Sequence, residues 1–112
     1  MNDPDAAPIE TYEQAPRQLR EKAQAAYGVV MYKLFCGLIA LHRIRKIMLR
    51  DEVPAGTEER KKWLEELLAN VLKQLGPDDK ARAKAFSAEL MRADLSSHDD
   101  VIIEDVLRKV TR

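Results

Sequence analysis

A long apolar stretch, residues 25–49, most constrains how this chain of 112 residues can fold. It reads AAYGVVMYKLFCGLIALHRIRKIML, and apolar side chains at three- and four-residue spacing share one face of a helix. The predicted core face consists of Tyr27, Val30, Met31, Leu34, Leu38 and Leu41. We therefore expect the remaining helices to pack around this one.

The opposite side of the same predicted helix carries small residues. Cys36, Gly37 and Ala40 lie there with Lys33 at the edge, so a second helix could approach closely. Beyond residue 41 the apolar positions move toward this side. The shift predicts a bend or a change of packing partner near His42.

The apolar stretch could also be considered as a membrane span. Gln24 and Lys33 interrupt it, and a lysine at the centre of a bilayer costs roughly 3 kcal/mol. The uninterrupted apolar run is also short for a span. The sequence favours the central helix of a soluble bundle over a membrane span.

Cysteine usage and the N-terminal residues indicate the compartment. Cys36 is the only cysteine, so no disulfide can form within the chain, and its position in an apolar helix predicts a buried structural thiol. The first residues, MNDPDAAPIE, lack the basic and apolar regions of a secretory signal. We expect a cytoplasmic protein.

The first 15 residues are predicted to form a flexible tail. They are acidic and contain Pro4 and Pro8, which oppose regular structure. Ile9 and Tyr12 are the large apolar residues of this tail. They form a candidate recognition motif, with a plain solvated leader as the alternative.

Breaks in hydrophobic periodicity predict four helices, over residues 16–50, 58–75, 78–94 and 98–111. Thr57 is expected to cap the second helix, and Ser97 with Asp100 forms a predicted capping box for the last. The second helix is the most clearly amphipathic, with its apolar face made by Trp63, Leu64, Leu67, Leu68, Val71, Leu72 and Leu75. The predicted fold is an all-α, single-domain bundle of four helices around a long first helix.

Several classes of chemistry lack their sequence signals. The two histidines, His42 and His98, fall on different predicted elements and have no second ligand at metal-binding spacing. No glycine loop for phosphates or local set of nucleophile and base is present. We expect no enzymatic activity, no cofactor and no metal.

The best candidate binding surface lies at the end of the first helix. There a basic row stands beside apolar residues, a combination that is frequent in protein interfaces. The predicted partner-binding residues are Ile44, Ile47, Met48, Arg43, Lys46 and Arg50. They suggest a small regulatory or adaptor protein that binds a larger protein, with inhibition of an enzyme as one form of such regulation and self-association as an equal use of the surface.

Nucleic-acid binding is the alternative function. The cations available for phosphate contacts are Arg43, Lys46, Arg50, Arg60 and Lys61. Against this alternative, the 19 basic and 19 acidic residues give a net charge of zero, and no aromatic stacking groups lie nearby. Protein binding is the favoured prediction.

The second half of the chain resembles a known family. An RKKWL helix beginning at Arg60, the segment AFSAELMRADL at residues 85–95 and the ending EDVLRKV at residues 104–110 are similar to the zeta-type inhibitor subunits of alphaproteobacterial ATP synthase. The resemblance implies a helical scaffold and a role as an inhibitor of a rotary ATPase. That family inhibits through its N-terminal segment, which the acidic, proline-containing residues 1–16 do not match. The matched residues are Phe86, Glu89, Ala93, Asp94, Leu95, Asp105, Val106, Leu107, Arg108, Lys109 and Val110.

Overall fold

The computed structural model describes residues 18, 21, 22, 24, 25 and 27–110. Four helices have defined bounds in these ranges: α1 (Val29–Ile47), α2 (Thr57–Lys73), α3 (Pro77–Leu90) and α4 (Asp99–Val110). No strand occurs in the same ranges, so the protein is an all-α bundle. The candidate tail motif of Ile9 and Tyr12 lies outside the described residues.

The first helix is interrupted, which corrects the prediction of one helix over residues 16–50. The described residues just before Gly28 are helical, but Gly28 itself has φ 89° and ψ 157°. A residue with a Cβ is strained at such a positive φ, whereas glycine adopts it readily. The regular helix α1 therefore begins at Val29, and it ends at Ile47 with tighter turns over residues 48–50.

Helix α1 is central, because it packs against α2, α3 and α4. Its buried residues are spread around most of its circumference, as expected for a helix with partners on several sides. Helix α1 runs without a break through His42, where a bend or a change of packing partner was predicted, and residues on both sides of His42 contact α2. The buried residues of α1 are Met31, Tyr32, Leu34, Phe35, Leu38, Ile39, Leu41, His42 and Ile44.

The prediction of the core face was wrong for one residue, Val30, whose side chain is 61% exposed. Gly37 of α1 lies against Leu68 of α2, and Arg45 lies near Glu65, so the two helices run antiparallel. Val30 lies seven residues before Gly37 on α1. In an antiparallel pair, it is level with a position about seven residues after Leu68, which is beyond Lys73, the last residue of α2. Val30 therefore has no α2 side chain to pack against.

Aromatic rings join α1 to α3 at the centre of the core. The rings of Phe35 and Phe86 are stacked with centroids 4.4 Å apart, and Tyr27 meets Phe35 edge-on at 6.0 Å. Both phenylalanines are fully buried. The stacking sets the position of α3, whose apolar face is otherwise narrow and consists mainly of Ala83 and Leu90.

The helix ends differ from the predicted capping in two places. Thr57 lies inside α2, after Gly56 at φ 84°, and its buried hydroxyl donates to the carbonyl of Pro54 at 2.7 Å. The capping box of Ser97 and Asp100 is not formed, because α4 starts at Asp99 and the Asp100 carboxylate accepts a hydrogen bond from a tyrosine hydroxyl of α1. Tertiary contacts replace the local hydrogen bonds at this end.

The third helix is shorter than predicted and ends at Leu90 rather than residue 94. The next residues continue as a tight turn, in which Arg92 N–H donates to the Glu89 carbonyl at 3.0 Å and Ala93 N–H donates to the Leu90 carbonyl at 3.1 Å.

Within the described ranges, no helix is long and apolar enough to cross a membrane.

Candidate functional site

A shallow groove lies between the C-terminal end of α1 and the turn that joins α3 to α4. We call it the basic groove, and it is lined by Arg43, Lys46, Ile47, Arg50, Asp94, Leu95 and Ser96. Lys46 and Arg50 are exposed, Ile47 is half-buried, and the neighbouring Leu49 is 86% exposed. The groove thus combines accessible cations with accessible apolar surface.

The structure removes one residue from the predicted contact surface. Ile44 is only 4% exposed and belongs to the core, so a partner cannot reach it in the folded chain. Met48 is partly buried and packs on the same core. Both side chains therefore belong to the packed core of the bundle rather than to an open surface. Of the three predicted apolar contacts, Ile47 is the one that lines the groove.

Arg43 is occupied by contacts within the chain. Its guanidinium donates to the Leu95 carbonyl at 3.2 Å and to the Ser97 carbonyl at 2.7 Å, and it forms an ion pair with the Asp99 carboxylate. Both carbonyls belong to the turn between α3 and α4. Arg43 therefore holds this turn and the start of α4 against α1, and it forms one wall of the basic groove.

The other cations of the groove are less engaged. Lys46 Nζ reaches the Ala93 carbonyl at the long distance of 3.5 Å, and Arg50 forms no ion pair with any residue from 27 to 110. The Asp94 carboxylate stands opposite, and hydrogen bonds from Ser96, with the nearby Lys46 charge, hold the pKa of Asp94 below its usual range. The groove therefore has one ionised carboxylate facing its free cations.

The cations of the predicted nucleic-acid surface are divided between two sides of α1. Arg43 and Lys46 reach the turn between α3 and α4, whereas Lys61 Nζ lies 3.4 Å from Glu65 on α2. The same Glu65 carboxylate lies 3.6 Å from Arg45 of α1. Acidic groups thus stand among the cations on both sides, and the predicted row is not continuous.

A second, more polar pocket lies beside the basic groove at the start of α4. The buried Tyr32 hydroxyl donates to the Asp100 carboxylate there. Burial, followed by the hydrogen bonds with Asp100 and Cys36, raises the pKa of Tyr32, so its hydroxyl keeps its proton. Tyr32 and Arg43 together fasten α4 to α1. The pocket is lined by Tyr32, Arg43, Ser96, Ser97, His98, Asp99 and Asp100.

The two histidines lie in different surroundings and are not brought together. His42 is buried between α1 and α3, with Nε2 at 3.2 Å from the Ser87 hydroxyl oxygen, and His98 is exposed. Burial, and then the charges of Arg45 and Lys46, lower the pKa of His42. Among the described side chains, no three of His, Cys, Asp and Glu cluster as metal ligands would.

Sequence reasoning missed one exposed apolar surface. On α2, Leu64 and Leu68 are buried as predicted, but Trp63 is 61% exposed and Leu67 is 43% exposed. The available signal was the width of the apolar face, which covers about half of the helix circumference and exceeds what contact with a single neighbouring helix buries.

Comparisons of the chain with protein-family models, with curated proteins and with solved structures find no match.

Proposed function

We propose that this chain is a small non-enzymatic regulatory or adaptor protein that binds a larger protein through the basic groove. The observation that carries the proposal is the half-buried Ile47 in the groove together with the exposed Lys46 and Arg50, with the exposed Leu49 next to Arg50 in the sequence. Apolar anchors beside cations are frequent in the energetic centres of protein interfaces. The single cysteine fits action in a reducing compartment such as the cytoplasm.

The charge and the apolar surface of the groove indicate the chemical character of the partner segment. Lys46 and Arg50 favour an acidic segment, and the half-buried Ile47 favours an apolar side chain within that segment. Arg43 is already bound to Asp99 and the turn carbonyls, so it supports the groove rather than supplying a free charge. The resemblance of the second half of the chain to zeta-type inhibitor subunits adds a rotary ATPase as one candidate partner.

Affinity capture with matched variants tests this proposal. The Lys46→Glu, Arg50→Glu double variant reverses the groove charge, while Lys80→Glu, Lys84→Glu reverses two exposed charges on α3. The captured protein should be retained by the native chain and by the α3 variant. It should bind the groove variant at least about tenfold more weakly, since two lost charge contacts are worth roughly 1.4 kcal/mol or more.

Two other outcomes would count against the proposal. Equal capture by the groove variant would show that the partner binds elsewhere. Recovery of nucleic acid, with proteins lost after nuclease treatment, would favour the alternative that uses Arg43, Lys46, Arg50, Arg60 and Lys61. In that case affinity should also fall steeply with salt, because phosphate contacts release counterions.

A further inference from the structure

The acidic residues of this chain are concentrated at its N-terminal end. We call residues 1–16 the acidic segment, because it contains four acidic residues and no lysine or arginine. It lies outside the described residues. The whole chain has 19 residues of each sign, so the remainder of the chain carries an excess of four positive charges. The acidic segment therefore complements the charge of the rest of the molecule.

The basic groove holds cations that have no carboxylate within ion-pair distance. The two cations in the last turn of α4 lie 3.2 Å and 3.3 Å from acidic residues four positions earlier, and Arg43 is paired with Asp99. Lys46 and Arg50, in contrast, form no ion pair with any residue from 27 to 110. They are the groove cations that an acidic segment can use.

The acidic segment also matches the apolar surface of the groove. Ile9 directly precedes Glu10, so an apolar side chain stands beside a carboxylate. In the groove, the half-buried Ile47 lies with the exposed Lys46 and Arg50. The chain therefore carries in its own sequence the combination of acidic and apolar side chains that the groove favours.

The acidic segment is long enough to reach the groove of its own chain. Lys22 Nζ lies 3.9 Å from the Glu104 carboxylate. Glu104 is five residues, or roughly 7.5 Å, along α4 from Asp99, which pairs with Arg43 in the groove wall. Including the side chains, this path from the Lys22 backbone to the groove is roughly 35 Å long. The acidic segment spans roughly 50 Å when extended.

We propose that the acidic segment binds the basic groove of its own chain, with Ile9 against Ile47 and its carboxylates at Lys46 and Arg50. The opposite wall of the groove carries Asp94, so the contact lies on the α1 side. An acidic segment of a partner must displace this one before it can bind. That consequence rests on the proposed function, whereas the contact itself requires no partner.

The connection through the chain makes a weak contact sufficient. A short linker places the segment at the groove with an effective concentration of about 1 mM. A contact with a dissociation constant of about 0.5 mM is then formed in about two-thirds of the molecules. The apparent affinity of a partner for the groove falls about threefold, because one-third of the molecules can bind it.

Paramagnetic NMR on the full chain tests the contact in the absence of any partner. A nitroxide is attached to a Thr11→Cys variant in a Cys36→Ala background, so that a single thiol is available. The label should broaden the amide signals of Lys46, Ile47 and Arg50. Circular dichroism checks that the labelled chain is folded. Groove signals that keep their full intensity would overturn the proposal.

Matched charge reversals show whether the groove is responsible. The broadening should disappear in Lys46→Glu, Arg50→Glu and persist in Lys80→Glu, Lys84→Glu, which reverses two exposed charges on α3. A mixture of spin-labelled chain and isotope-labelled chain without the nitroxide distinguishes binding within one chain from binding between chains. Equally strong broadening in this mixture would show that the segment binds a second copy, against the proposal.

Amide chemical shifts provide a measurement that needs no cysteine change. The variant Asp3→Asn, Asp5→Asn, Glu10→Gln, Glu13→Gln should shift the signals of the basic groove and bind a captured partner about threefold more tightly. Glu66→Gln, which alters an exposed carboxylate on α2, should leave both unchanged. Unshifted groove signals would contradict the contact. A chain that captures no partner through the groove but shows the NMR contact would refute the proposed function alone.

Discussion

At the scale of single residues, His42 has the environment with the clearest measurable consequence. It is 8% exposed, and its ring faces Ser87 of α3, while Arg45 and Lys46 follow it on its own helix. Adding a proton there places a charge in a buried site close to two cations. The pKa of His42 is accordingly lowered from its ordinary value of 6.5, by burial first and by the two cations second.

This lowered pKa predicts a loss of stability on acidification. As the pH falls through about 6.5, the unfolded chain takes up the His42 proton before the folded chain does, so the free energy of unfolding decreases. Above that pH both states are neutral at His42 and the effect is absent. One proton contributes at most about 1.4 kcal/mol per pH unit.

Urea unfolding at a series of pH values measures the effect. His42→Gln should flatten the change in stability between neutral pH and mildly acidic pH relative to the native chain. The control is His98→Gln, which alters the exposed histidine and should keep the native pH dependence. Equal slopes for His42→Gln and the native chain would contradict the prediction.

Tertiary contacts give Arg43 a different role from the one that its sequence context suggested. The sequence suggested a cation available to a partner, but its guanidinium contacts Leu95, Ser97 and Asp99. These contacts span more than fifty residues of chain, so no local pattern around Arg43 could have indicated them. The cations with freedom to contact a partner at this end of α1 are Lys46 and Arg50.

At the scale of secondary-structure elements, the contact between α1 and α2 depends on Gly37. A Cβ placed on Gly37 would lie 2.7 Å from Cδ2 of Leu68, which is buried. The missing side chain therefore allows α2 to approach α1 closely, as the small residues on this side of α1 predicted.

Gly37→Leu is expected to lower the free energy of unfolding by about 1–3 kcal/mol, because the new side chain overfills the contact. In a Leu68→Ala background the same change should cost less, since the smaller residue leaves room for it. Denaturant unfolding of the four chains in this double-mutant cycle measures the coupling. Ala85→Leu, on the exposed face of α3, is the control and should have little effect. Additive losses in the cycle would contradict the close contact.

At the scale of the whole molecule, the four helices are not equally supported. Helices α3 and α4 pack on each other as well as on α1, whereas α2 has its main contact with α1 alone. The buried apolar side chains of α2 are Leu64 and Leu68, compared with four in the shorter α4. The local stability of α2 should therefore be the lowest of the four.

Native-state hydrogen exchange tests this order. Amides of α2 should exchange with a lower opening free energy than amides of α3 and α4, because fewer buried contacts are lost when α2 opens. A single opening free energy shared by all four helices would show that the bundle opens as one unit.

Local pattern was sufficient for the fold class. The apolar stretch, the breaks at Pro54, Gly56, Gly76 and Pro77, and the spacing of Leu64 with Leu68 together determined an all-α bundle around α1. These features act over a few residues, so they can be read without knowing what else is nearby. The same is true of the small side of α1, which correctly indicated a close helix contact.

Tertiary structure decided which of these surfaces is accessible. Ile44 near the end of α1 and Leu49 just beyond it are both apolar, but the neighbours of α1 bury the first and leave the second exposed. Val30 and Trp63 were expected in the core and are exposed, since helix length and the number of packing partners determine what is covered. Periodicity predicts that a residue lies on an apolar face, but only the arrangement of the other helices determines whether anything packs against that face.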